Sequence, residues 1–156
     1  MPKLLEEGDK APTFALARDG GGTVALRDFK DGPLVLYFYP KDDTTGCTNE
    51  AVDFTRLRKQ FEKAGASVVG ISKDSVAAHD KFKTKHKLDV VLGSDPDGTT
   101  CEAYGVWQEK SMYGRKYMGI ERSTFVIDSA GRIAKIWRKV KVPGHVEAVL
   151  DAVKML

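Results

Sequence analysis

LVLYFYPKDDTTGCTNEAVDFTRLRKQF, residues Leu34–Phe61, changes its hydrophobic period halfway through. Its first part, within PLVLYFYP (33–40), is an uninterrupted apolar run, as a strand covered on both faces requires. Beyond the polar KDDTTG, apolar Val52, Phe54, Leu57, Phe61 and Ala64 recur at helical spacing, and Gly65 ends the helix. Outward from this strand–helix unit, TFALARDGGGTVALRDF (13–29) reads as two short strands around a glycine turn, and SVVGIS (67–72) as the next strand after the helix. SVAAHDKFKTKHKL (75–88) reads as a helix capped by Ser75 or Asp74. DVVLGSDPDGTT holds a short strand and a turn, and TTCEAYGVW opens a short helix. RSTFVIDSAGRIAKIWRKV is a strand–turn–strand unit turning at 128–131, and GHVEAVLDAVKML is an amphipathic helix begun near Pro143. The order β-β-β-α-β-α-β-α-β-β-α predicts an α/β fold, with a mixed central sheet and helices on both faces. A single domain over residues 1–156 is expected.

Composition excludes several function classes. Twenty-five basic against twenty-two acidic residues leave a net charge of +3, spread along the chain, so no nucleic-acid footprint is expected. KSMYGRKYMG is basic and aromatic but short, and the lysines of DKFKTKHK read as one solvated helix face. No apolar run approaches membrane-spanning length, so no membrane partner is expected. No apolar core precedes Glu6-Glu7, so a secretory signal is not expected. Two cysteines far apart do not make a disulfide framework, and are expected to be reduced in the cytoplasm.

Cys47 falls where the strand hands over to the helix, and in sheets of this kind sites collect at the carboxyl ends of strands. A free cysteine is commonly a small apolar filler. A filler does not need the polar loop before it, however, and Cys47 lies in the first turn of the helix. Unpaired amide groups and the positive end of the helix dipole there favour the thiolate, which is the nucleophile. Thr44 can aim a hydroxyl at whatever the sulfur attacks, and Pro40, rigid and without an N–H, can wall the site against water.

A dithiol exchange site would need a second cysteine where Glu50 stands. A cysteine hydrolase would need a histidine base, and His79, His86 and His145 all read as lying in charged or solvent-facing company. A metal site lacks ligands at suitable spacing, and no cofactor is implied. A thiolate activated by fixed charge and amides remains, which suits attack on a peroxide.

PKDDTTGC resembles the Pro-x-x-x-Thr-x-x-Cys signature of peroxiredoxins, through Pro40, Thr44 and Cys47. GDKAPTFAL, YGVWQEKSMYGRKYMGIERSTFVID and GHVEAVL extend the similarity over nearly the whole chain, toward the bacterioferritin-comigratory-protein or peroxiredoxin Q branch. The resemblance implies a thioredoxin-like fold and thiol-dependent reduction of hydrogen peroxide and organic hydroperoxides. Cys47 becomes the peroxidatic cysteine, oxidised to a sulfenic acid, with Thr44 as hydrogen-bond donor to the peroxide and Pro40 as shield. Arg122 matches the family's active-site arginine; from the residues alone it is either that guanidinium or a surface arginine paired with Glu121 or Asp128. Glu50 either orients Arg122 or is solvated.

Many members of the branch carry a resolving cysteine where this chain has Val52. The second thiol, Cys101, is either a half-buried packing residue or a resolver of Cys47. Recycling by thioredoxin or a similar thiol is expected, in a monomer or weak homodimer. Two rival functions stay open: a peroxide sensor that relays oxidation to a partner, and a thioredoxin-fold binding module with an inert cysteine.

Overall fold

The fold is organised by β3, Leu34–Phe38, whose five residues are all buried. The computed structural model describes residues 4–156. Around β3 runs a seven-stranded mixed sheet in the order β2-β1-β5-β4-β3-β8-β9, made of β1 (Ala15–Arg18), β2 (Thr23–Ala25), β4 (Ser67–Ser72), β5 (Val91–Ser94), β8 (Ser123–Ile127) and β9 (Ile133–Trp137). The β3–β4 and β4–β5 pairs are parallel, while β8 runs antiparallel to β3. A strand with neighbours on both edges and helices over it has no solvent face, which is why PLVLYFYP shows no alternation.

Alternate side chains of β3 supply two apolar layers. Val35 and Tyr37 face Cys47, Ala51 and Phe54 of α1 (Thr45–Arg56), Phe61 of α2 (Arg58–Lys63), Phe82 of α3 (Val76–His86) and Val149 of α5 (His145–Lys154). Leu34, Leu36 and Phe38 face the other layer, with Phe14, Tyr104, Phe125 and Cys101 of α4 (Thr99–Ala103). The expected mixed sheet with helices on both faces is therefore observed.

Three local expectations need correction. The helix after Cys47 is broken at Leu57 (φ −96°, ψ 7°) into α1 and α2, and Val52 is not part of the buried stripe but 40% exposed on the outer side. Nor do the histidines all lie in charged or solvent-facing company: His145 is 7% exposed against Thr124 and the Trp137 ring, whereas His79, 0% exposed, does have a charged partner, Asp42. Lastly, the chain from Trp107 to Ile120, given no strand above, forms a separate hairpin of β6 (Trp107–Met112) and β7 (Arg115–Ile120). Both strands are largely exposed, so neither carries the apolar alternation that marks a strand. The legible signal was the two-residue Tyr113-Gly114 connection, where both residues take the positive φ (53° and 75°) of a tight hairpin turn.

Candidate active site

Cys47 is held at the junction of β3 and α1. Its neighbour in charge, Arg122, arrives from the other side of the sheet order through strand register. Phe38 pairs with Ser123 in the antiparallel β3–β8 ladder, so Arg122 lies one step beyond, beside the end of β3. There Arg122 Nη2 donates to Cys47 Sγ at 3.3 Å and Nη1 donates to Glu50 Oε1 at 2.7 Å. Gly46 makes the approach possible, because a β-carbon there would lie 3.0 Å from Arg122 Nη2.

The triad is shielded from water. Cys47 is 1% and Glu50 0% exposed, and the Arg122 side chain is 16% exposed. Glu50 lies one helical turn after Cys47 on the same buried face of α1, not in solvent. Burial pushes its carboxyl up to about 7, against the pull of Arg122. Its second oxygen, Oε2, and the nearby Tyr37 hydroxyl have no protein partner among the described residues. For Arg122 burial works against the charge, but Glu50 and Cys47 outweigh it and hold the guanidinium above its ordinary value. The pairing with Glu121 or Asp128 is thus not the one Arg122 makes.

Pro40 is half-buried at the start of the turn, and Thr44 occupies the N-cap position of α1. The Thr44 hydroxyl donates to the Lys41 carbonyl at 2.8 Å, which ties the turn to itself. A hydroxyl has one hydrogen, so in this arrangement Thr44 Oγ1 offers a ligand its lone pairs. Lys110 on β6, assigned no role from the sequence, feels the charges of this site: burial, together with the repulsion of Arg122, holds its ammonium below its ordinary value, with Cys47 pulling the other way. Its place in the hairpin, out of any apolar pattern, left no signal in the sequence.

None of the histidine hydrogen bonds reaches Cys47. His145 Nε2 meets Thr124 Oγ1 at 2.8 Å, and burial with the nearby Arg122 charge pushes it down to about 4, so the ring is neutral. His86 binds Asp43, and His79 binds Asp42. Nor does Cys101 join the site. It is 0% exposed in the apolar layer on the opposite face of the sheet from Cys47, and burial, then the Asp95 carboxylate, push its thiol well up. A cleft of about 580 Å³ walled by Phe14, Phe29 and Ile127 does not include Cys47 or Arg122. Among the described residues no helix is long and apolar enough to cross a membrane.

A buried sulfur with a guanidinium at hydrogen-bond distance and no base beside it can act as a ready-made thiolate, and the same donor can meet charge growing on a departing oxygen. An inert filler has no use for such a neighbour. The AhpC/TSA family pattern matches residues 7–136. The chain is 53% identical over 146 residues to a putative peroxiredoxin Bcp of Coxiella burnetii, covering 94% of this chain and 97% of that one. Among solved structures it is similar to the bacterioferritin comigratory protein of Xanthomonas campestris (TM-score 0.87, 47% identity, 91% of this chain and 90% of that one), whose alkyl peroxide reduction was studied through a trapped intermediate. It is also similar to a mutant of Xylella fastidiosa PrxQ (TM-score 0.93, 42% identity, 99% and 98% covered).

Proposed function

The chain belongs to the AhpC/TSA family as a Bcp-type peroxiredoxin, a thiol peroxidase of thioredoxin-like fold, and we propose that Cys47 carries its chemistry. The Cys47 thiolate attacks the terminal oxygen of a hydroperoxide and a sulfur–oxygen bond forms as the O–O bond breaks. The product is a sulfenic acid, and the departing oxygen takes up a proton to leave as water or an alcohol. Arg122 faces the sulfur and neutralises charge on that oxygen, while Glu50 holds the far end of the guanidinium. Pro40 excludes water, and Thr44 contacts the peroxide from the N-cap position. To donate to it, the hydroxyl must first exchange its bond to Lys41.

The substrates are hydrogen peroxide and organic hydroperoxides, by analogy with the alkyl peroxides reduced by the Xanthomonas relative. An external thiol, such as thioredoxin, attacks the sulfenic sulfur and expels water; its second thiol then releases Cys47 and leaves as the disulfide. The proposal extends to a reducing cytoplasm and to a monomer or weak homodimer.

The observation that carries this reading is the 3.3 Å contact between Arg122 Nη2 and the buried Cys47 sulfur. Intact mass after one equivalent of peroxide tests it. A gain of one oxygen, trapped by dimedone at Cys47 and absent in Cys47→Ser, is expected; an unchanged mass overturns it.

A further inference from the structure

The polar turn between β3 and α1 is anchored from below by a buried ion pair. Asp42 in its middle is 9% exposed and His79 of α3 is 0% exposed. Asp42 Oδ1 accepts from the Tyr39 hydroxyl at 2.6 Å, and Asp42 Oδ2 lies 2.6 Å from His79 Nδ1. The other ring nitrogen, His79 Nε2, is 3.0 Å from the Gly93 carbonyl of β5. A carboxylate and a carbonyl are both acceptors, whereas a neutral imidazole has one N–H. Only the imidazolium satisfies both contacts. The Asp42 amide also donates to Asp74 Oδ2 at 2.8 Å, so side chain and backbone of this one residue are fixed together.

We propose that Asp42 and His79 are positioning residues for the peroxide site: their pair sets where the Pro40–Thr44 turn sits over Cys47. Asp42 is midway between the two residues assigned to the peroxide pocket. Thr44, two residues on, accepts the Thr48 amide at 2.8 Å and so begins the helix that carries Cys47. A shift of Asp42 is transmitted to both. Neither member of the pair contacts the sulfur, and a buried ion pair adds little stability over apolar packing, so its placement under this turn calls for another role. The proposal rests on Cys47 being the reacting thiol.

The groups facing His79 are Asp42 of the turn, Tyr39 at the end of β3 (hydroxyl 3.5 Å from Nδ1), Asp74 ahead of α3, and the Gly93 carbonyl. Burial works against its charge, but the bond and charge of Asp42, with Gly93 and Asp74, outweigh it and hold His79 above its ordinary value. The imidazolium that the two acceptors require is lost as pH rises through that raised value, loosening the turn on the alkaline side.

The test is the rate constant for Cys47 oxidation by hydrogen peroxide, followed by stopped flow from neutral to alkaline pH in wild type, His79→Gln and Asp42→Asn. Iodoacetamide alkylation of Cys47 runs in parallel, and the His79 ring is titrated by NMR in wild type. At neutral pH both variants should lose about 10- to 100-fold in the peroxide step, the scale of a misplaced reacting group. Alkylation, which attacks carbon and needs no hydrogen bonds to a peroxide, should not slow. Wild type should decline on the alkaline side with the midpoint of the His79 ring, and the variants should lack that limb. Variant rates and profiles like wild type overturn the proposal while leaving the peroxidase reading intact; a wild type that does not react with peroxide sinks both. Should a variant fail to fold, the wild-type comparison decides alone, since a rate that ignores the His79 titration also overturns the proposal.

Discussion

Arg122 reaches Cys47 with one terminal nitrogen and Glu50 with the other, so its action depends on a planar fork as well as on charge. Lysine keeps the charge but not the fork. Arg122→Lys should therefore slow oxidation of Cys47 by about 10²- to 10³-fold, roughly 3–4 kcal/mol of transition-state stabilisation. A stopped-flow rate equal to wild type refutes that assignment. Glu50 contributes a signature in stability. Its carboxyl is raised from 4.5 to about 7 in the folded protein, so between those values the folded state holds a proton that the unfolded chain has released. Stability is full below about 4.5 and falls as pH rises through about 7, by up to about 3 kcal/mol. Urea unfolding across this range should show the fall in wild type and a flatter profile in Glu50→Gln, which can still accept from Arg122. A parallel dependence in both proteins assigns the effect to other groups.

At the scale of elements, the contact that sets the reactive junction is between two neighbouring strands. Tyr37 of β3 pairs with Gly70 of the parallel β4, and the Tyr37 ring lies across it: a β-carbon at Gly70 would come 2.6 Å from the ring. The ring cannot yield, because it stacks on Phe54 of α1 at 4.5 Å. Gly70→Ala should destabilise the protein by about 1–3 kcal/mol through overpacking, measured by urea denaturation, and a neutral effect shows that the ring can move. The strand and helix themselves were legible beforehand, because PLVLYFYP is apolar without a break and Phe54 and Phe61 recur at helical spacing. So was the motif of Pro40, Thr44 and Cys47, being local in the chain. The rest depends on pairing across long distances. Only the β3–β8 register brings Arg122 to the sulfur, and only the packing of α3 under the turn turns His79 from a residue in a lysine-rich segment into a buried partner of Asp42. The hairpin of β6 and β7 escaped for another reason: it has almost no buried face, and so nothing in its sequence alternates.

Across the whole molecule, the seven-stranded sheet separates the two thiols. Cys47 belongs to the layer under α1 and α5, and Cys101 to the layer with Tyr104 and Phe125, with β3 contributing alternate side chains to each. A disulfide needs α-carbons within about 7 Å, which opposite faces of an intact sheet do not provide. Cys101 is also a poor nucleophile, since burial and then Asp95 disfavour its thiolate. Val52, where relatives of this branch were expected to carry a resolver, points outward from α1 and has no thiol. Peroxide turnover should therefore proceed without an internal partner. Cys101→Ser should retain most activity with an external dithiol, and the Cys47 sulfenic acid should persist in both proteins long enough to be trapped by dimedone. With no thiol at hand to intercept it, excess peroxide should carry it on to sulfinic acid. Mass measurements on quenched samples decide between the routes. A rapid Cys47–Cys101 disulfide in wild type, with loss of turnover in Cys101→Ser, requires one of the cysteines to leave its layer in every cycle. That opening, a sub-global unfolding of α1 or α4, should appear in hydrogen exchange of the oxidised protein as lost protection confined to those helices.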